Sequence, residues 1–163
     1  MVIKEKVAKA INKQINAELY SSYLYLAMAA YFESVNWLGL AQWMKVQASE
    51  EHAHAMKFYG YLHDRGGRVV LSGIDGPKTE WKSPLAVFVD AYAHEIKVTG
   101  LINGLLQVAR DEDDAATEAM LQWFINEQVE EEAHALLIVE KLKLIKDSVN
   151  GLFMLDHELG ERK

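Results

Sequence analysis

The sequence predicts an all-α protein: a four-helix bundle with one long crossover between its second and third helices and a short fifth helix at the C-terminus. Three observations carry that prediction. Both prolines, Pro77 and Pro84, and the strongest turn signals, GGRVV and SGIDGPKTEWKSP, fall in one region and leave long stretches without helix breakers. Along those stretches apolar residues recur at alternating spacings of three and four, which turns one face of a helix continuously toward a partner. The 163 residues suit a single domain, and with half of them hydrophobic and a quarter charged the chain can bury a continuous core without staples.

Helices are expected over 5–33, 38–65, 84–110 and 114–144, with the short fifth over 148–159. The joints at Ser34 to Trp37, Asp111 to Asp113 and Lys146 to Asp147 are short, as for helices that fold back on themselves or carry a small appendage. Residues 66–83 are different. At ~3.3 Å per residue this connection can reach about 60 Å, whereas a helix of about 27 residues is only about 40 Å long. It can run the length of the bundle, which makes the second and third helices parallel. Pro84 behind Ser83 fits a first-turn proline after a good N-cap.

Composition removes several function classes. A net charge of −7 with no basic stripe argues against a nucleic-acid partner. The absence of cysteine excludes disulfide frameworks, zinc ribbons, iron–sulfur clusters and thiol nucleophiles. The longest apolar run, Tyr23 to Phe32, is ten residues and too short to span a membrane, and MVIKEKVAKAI lacks an apolar signal core. A cytoplasmic protein without a membrane partner is expected.

The polar interruptions of the apolar stripes carry the chemistry. The first stripe reads Ile11, Ile15, Glu18, Ser22, Tyr25, Ala29, Phe32, and the second Trp37, Leu40, Met44, Gln47, Glu51, His54, Phe58, Tyr61. The third reads Leu85, Phe88, Tyr92, Glu95, Thr99, Ile102, Leu106, and the fourth Leu121, Phe124, Gln128, Glu131, Ala135, Ile138, Leu142. Each interruption lies near the middle of its helix, so Glu18, Glu51, Glu95 and Glu131 should meet at one height in the bundle. Four buried carboxylates cannot all stay ionised without partners, because an isolated buried charge costs several kcal/mol. No lysine or arginine occupies the middle of any stripe. Two divalent cations would balance four carboxylates and leave one imidazole as a neutral ligand. Carboxylates with an imidazole suit iron or manganese better than zinc, and iron is the first expectation. Glu51-x-x-His54 places two ligands on one helical face a turn apart. Alone that spacing is weak; inside an apolar stripe, with carboxylates on three further helices, it is strong. The alternative is a hydrogen-bonded polar core without metal.

These residues resemble the ferritin family over nearly the whole chain: NAELYSSYLY around Glu18, EEHAH around Glu51 and His54, HEIK around Glu95, NEQVEEEAH around Gln128, and the tail GLFMLDHEL. The haem-free bacterial type is the best match. Glu131-x-x-His134 imitates the second Glu-x-x-His of bacterioferritins and rubrerythrins, but the interval of 33 residues from Glu18 to Glu51, repeated from Glu95, lands on Gln128. Gln128-x-x-Glu131 is therefore the matching pair, and His134, off the stripe, is read as lying outside it. The resemblance implies one iron with Glu18, Glu51 and His54, and a second with Glu51, Glu95 and Glu131, Gln128 being close by and Glu51 bridging. Tyr25 would be the phenol beside them. A third iron would sit with Glu50, Glu127 and Glu130, which from the sequence alone read as a solvated acidic face. Haem is not expected, since bacterioferritins hold it through a methionine directly after the bridging glutamate, where this chain has His52.

The activity so implied is ferroxidase: two ferrous ions give electrons to dioxygen, and the ferric product is stored as mineral in a hollow shell of 24 subunits, with the fifth helix joining subunits. Rubrerythrin-like peroxidases carry a cysteine-bound iron module that this chain lacks, and DNA-protecting miniature ferritins lack the fifth helix. His52, His63, His94 and His157 show no pattern separating them from surface histidines, and the DEDD run at 111–114 reads as a helix N-terminal charge cluster.

Overall fold

In a computed structural model, which describes residues 2–163, the chain forms five helices: α1 (Glu5–Ser34), α2 (Leu38–Asp64), α3 (Pro84–Asp111), α4 (Ala115–Ile145) and α5 (Val149–Gly160). Helix α1 packs on α2 and α3, α3 on α4, and α5 on α2. No described helix is long and apolar enough to cross a membrane.

The starts of the later helices follow from local hydrogen bonding. Ser83 Oγ accepts from the backbone N–H of Ala86 with Pro84 in the first turn, and Ser148 Oγ accepts from Gly151 N. Asp114 is the N-cap of α4: its carboxylate accepts from Thr117 N at 3.0 Å and pairs with both terminal nitrogens of Arg65 at 3.0 and 3.1 Å. The acidic run is thus more than a charge cluster. One of its members is buried and joins the end of α2 to the start of α4. Helix α2 has no side-chain cap of its own, and Asp156 of α5 supplies one, its Oδ1 accepting from Leu40 N at 2.9 Å. At the other end of α2, Gly66 takes φ +72°, the left-handed conformation that turns the chain out of a helix.

The crossover is extended and is pinned to α1 by two asparagines one turn apart. Asn12 acts as a piece of backbone, donating to Arg68 O at 3.0 Å and accepting from Val70 N at 2.8 Å, and Asn16 donates to Gly73 O at 3.0 Å. Trp81 then buries its ring and donates Nε1–H to Asp90 at 2.7 Å, anchoring the far end of the crossover on α3.

The core is divided. One apolar cluster joins the C-terminal half of α1, the N-terminal halves of α2 and α3, the C-terminal half of α4 and the inner face of α5, with Phe32, Met44, Phe88 and Leu142 among its members. The other joins the opposite halves, with Ile11, Phe58, Ile102 and Phe124, the rings of Phe58 and Phe124 stacking at 3.9 Å. This alternation makes α2 and α3 parallel and the pairs α1/α2 and α3/α4 antiparallel, as a lengthwise crossover requires. Between the two clusters lies a layer of buried polar side chains.

Candidate metal centre

All four long helices contribute to that layer. Glu18 comes from α1, Gln47, Glu51 and His54 from α2, Glu95 from α3, and Gln128 and Glu131 from α4, and each is buried. Their neighbours along each helix are apolar and feed the two clusters, so packing above and below fixes the height at which the polar groups meet.

Three groups of potential ligands emerge, each with atoms within 4.8 Å of one another: His54 with Glu127 and Glu131 at the rim, and two within the buried layer, Glu18 with Glu51 and His54, and Glu51 with Glu95 and Glu131. Glu51 belongs to both of the latter. His54 Nδ1 lies 3.2 Å from Glu51 Oε2 and 4.0 Å from Glu18 Oε2, while its Nε2 faces Glu127 Oε1 at 3.9 Å. Three glutamines hold the carboxylates from outside. Gln14 donates to Glu18 Oε1 at 2.8 Å, Gln47 donates to Glu51 Oε1 and Glu131 Oε2, both at 2.8 Å, and Gln128 donates to Glu95 Oε2 at 3.2 Å. The Tyr25 hydroxyl donates to Glu95 Oε1.

The electrostatics are those of a buried layer short of positive charge. Burial, followed by the charge of Glu51, pushes the carboxyl of Glu18 well above its ordinary range. The same two causes lift Glu95 to about 8 and Glu131 to about 7. Burial alone would depress His54, but the hydrogen bond and charge of Glu51, with Glu18 and Glu131 behind it, raise it to about 9. Burial and then Glu95 and Glu51 hold the Tyr25 phenol in its protonated form. Glu18 Oε2 is buried and has no hydrogen-bond partner among the described residues. A buried acceptor left unmade is expensive. An oxygen-rich donor set, one imidazole and an orphaned carboxylate oxygen fit divalent iron, which favours such ligands and would take the place of the missing donor.

The remaining sequence candidates are placed as follows. Glu50, Glu127 and Glu130 do not form a common group; Glu127 falls instead with His54 and Glu131, Glu130 is exposed, and Glu50 is bonded by Arg162 Nη2 at 2.8 Å. His134 is exposed, as are His52, His63 and His157. His94 is not a surface residue. Half-buried between the rings of Tyr20 and Tyr25, its Nε2 lies 2.7 Å from Ser21 Oγ, and burial lowers its pKa. Because the Ser21 hydroxyl donates to Ala17 O at 3.0 Å, the imidazole is the donor in this pair. Its only sequence signal was its place beside Glu95. Gln14 lies one turn before Glu18, a spacing that could have marked it, whereas nothing in the sequence ties Arg162 to the centre.

The ferritin-like domain family model matches residues 8–145. Bacterial non-heme ferritin of Bacteroides fragilis is 45% identical over 161 residues, covering 99% of this chain and all of that protein. The Staphylococcus epidermidis protein of the same description is 40% identical over 99% of this chain and 97% of its own length. Among solved structures, Archaeoglobus fulgidus ferritin, as an open-pore form and as an engineered closed form, is 52% identical with a TM-score of 0.98, covering 99% of this chain and 98% of theirs.

Proposed function

Since the chain belongs to the ferritin-like domain family, we propose that it is a cytoplasmic iron-storage protein that oxidises ferrous iron with dioxygen at the centre of each bundle and deposits the ferric product in a hollow shell of 24 copies. One observation carries this reading: four buried carboxylates and an imidazole separate two apolar clusters, and among the described residues no lysine or arginine forms an ion pair with Glu18, Glu51, Glu95 or Glu131. Ferrous ions are the substrate that completes such a layer.

Glu18, Glu51 and His54 would hold one ion, and Glu51, Glu95 and Glu131 the other, with Glu51 shared. Two ferrous ions side by side supply two electrons to one dioxygen, which with two protons gives hydrogen peroxide and avoids one-electron oxygen species. The residues supply geometry and proton balance. His54 has to lose its proton to offer a lone pair, and the protons held on Glu95 and Glu131 are displaced as cations arrive, so uptake releases protons. Gln14, Gln47 and Gln128 keep each carboxylate aimed inward, and Tyr25 steadies Glu95. Glu50, Glu127 and Glu130 are the candidates for a third ion leaving the centre, one that must first displace the guanidinium on Glu50.

Aerobic addition of ferrous salt, followed by absorbance of the ferric product and by gel filtration, tests the proposal. Oxidation well above the buffer rate by a large assembly is expected. Oxidation at the buffer rate, or a monomer on the column, overturns it.

A further inference from the structure

Gln47 touches both groups of carboxylates and is almost completely buried, at 1% exposure. Its Nε2 spends its two protons on Glu51 and Glu131, so its Oε1 faces away from the centre and needs a donor. That donor comes from the segment that follows α5. Arg162, two residues beyond α5, places Nη2 at 3.0 Å from Gln47 Oε1 and 2.8 Å from Glu50 Oε2, and Nη1 at 3.3 Å from Trp43 O. Its guanidinium carbon stands 4.4 Å over the Trp43 ring. Every anchor of the fork lies on α2 within two turns.

The position of Arg162 is itself fixed by how α5 docks. Asp156 caps α2 at Leu40, and the two helices approach so closely that a Cβ on Gly39 would lie 1.8 Å from Asp156 O, and one on Gly160 would lie 3.0 Å from Gly39 Cα. With α5 held there, the chain beyond Gly160 runs along α2 and delivers Arg162 over Trp43. We propose that Arg162 is a positioning residue of the metal centre: it holds the Gln47 amide so that one side chain steadies Glu51 and Glu131 together, and thereby makes the centre depend on the docking of α5. This rests on the two-ion reading above. Without the fork, Gln47 has a buried oxygen with no donor, and any rearrangement that satisfies it turns an acceptor toward two carboxylates. Glu50 also loses its counter-charge beside the centre.

The test uses anaerobic Co(II) titration of the assembled protein by calorimetry, with circular dichroism and gel filtration to establish that fold and assembly are intact. Arg162→Met keeps the stem over Trp43 and removes the donors. Loss of a side chain that orients a ligand costs about 10–100-fold in metal affinity, so the weaker Co(II) event is expected to fall at least about tenfold. Gln47→Leu should weaken it similarly, and the double variant should be no worse than Gln47→Leu alone, because Arg162 acts through Gln47. Arg162→Lys, which keeps the charge and is the more conservative change, should fall between wild type and the Met variant. Unchanged Co(II) binding in Arg162→Met, or losses that simply add in the double variant, would overturn the inference while leaving the two-ion centre standing. A wild-type protein that takes up fewer than two Co(II) per subunit would overturn both.

Discussion

Glu51 is the one side chain shared by both carboxylate groups, and it sits where the fields of Glu18, Glu95 and Glu131 overlap. Glu51→Ala should therefore lower the initial ferrous oxidation rate by more than about 100-fold, beyond the usual loss from a residue that only orients a ligand. His134→Ala should leave that rate unchanged. Stopped-flow absorbance measures both, and a comparable loss in the two variants would show that the second ion uses Glu131-x-x-His134 instead. The pH behaviour of the metal-free protein follows from the same residues. Glu95 at about 8 and Glu131 at about 7 stand above their ordinary 4.5, and His54 at about 9 above 6.5. Each binds its proton more tightly folded than unfolded, so each contributes stability that is full below the unfolded value and lost as pH rises through the folded one. The thermal midpoint of chelator-treated protein should accordingly fall between about pH 5 and about pH 9, and added Co(II) should offset the fall. A midpoint that rises over that interval without metal would contradict these assignments.

The elements show which features were legible beforehand. The central polar residues stood out because each interrupts an otherwise apolar stripe, and a helix converts such a stripe into one face whatever its tertiary surroundings. The lengthwise crossover was legible from its reach. What stayed hidden depends on pairs far apart in sequence: Arg65 with Asp114, Asp156 with Leu40, Arg162 with Gln47. No periodicity encodes these. His94 reads from the sequence as a surface histidine because a histidine on the flank of a stripe has the same spacing whether it faces water or a neighbouring serine. The Asp114 junction gives a prediction at this scale. Its carboxyl is held below the ordinary range because the Arg65 hydrogen bond, with those from Thr117, outweighs the cost of burial, so its contribution is present above about pH 4 and lost as the pH falls. Asp114→Ala removes an N-cap and breaks a largely buried ion pair and should destabilise by about 3 kcal/mol. Asp114→Asn keeps a capping oxygen and should cost less. Thermal or denaturant melts of both variants check the order, and an Asn variant as weak as the Ala variant would show that the cap contributes nothing. Gly39→Ala should detach α5, since its Cβ has no room against Asp156 O. Proteolysis near Lys146–Ser148 would then become fast while the four-helix bundle keeps its circular dichroism; unchanged cleavage would contradict the docking.

On the scale of the whole molecule, two apolar clusters hold the bundle together and the layer between them gives up apolar burial for acids. Cations completing the layer, as proposed, would account for that sacrifice. The surface bears on assembly as well. Leu144 at the end of α4 and Met154 on α5 line one groove and are 82% and 74% exposed, apolar surface that an isolated subunit would leave in water. Sedimentation should find a large closed assembly, and Leu144→Lys with Met154→Lys should shift it toward smaller species. The most direct test of the central claim is anomalous diffraction at the iron edge from crystals soaked anaerobically in ferrous salt. Two peaks are expected, one among Glu18, Glu51 and His54 and one among Glu51, Glu95 and Glu131. Well-ordered side chains with no peak between them would contradict it.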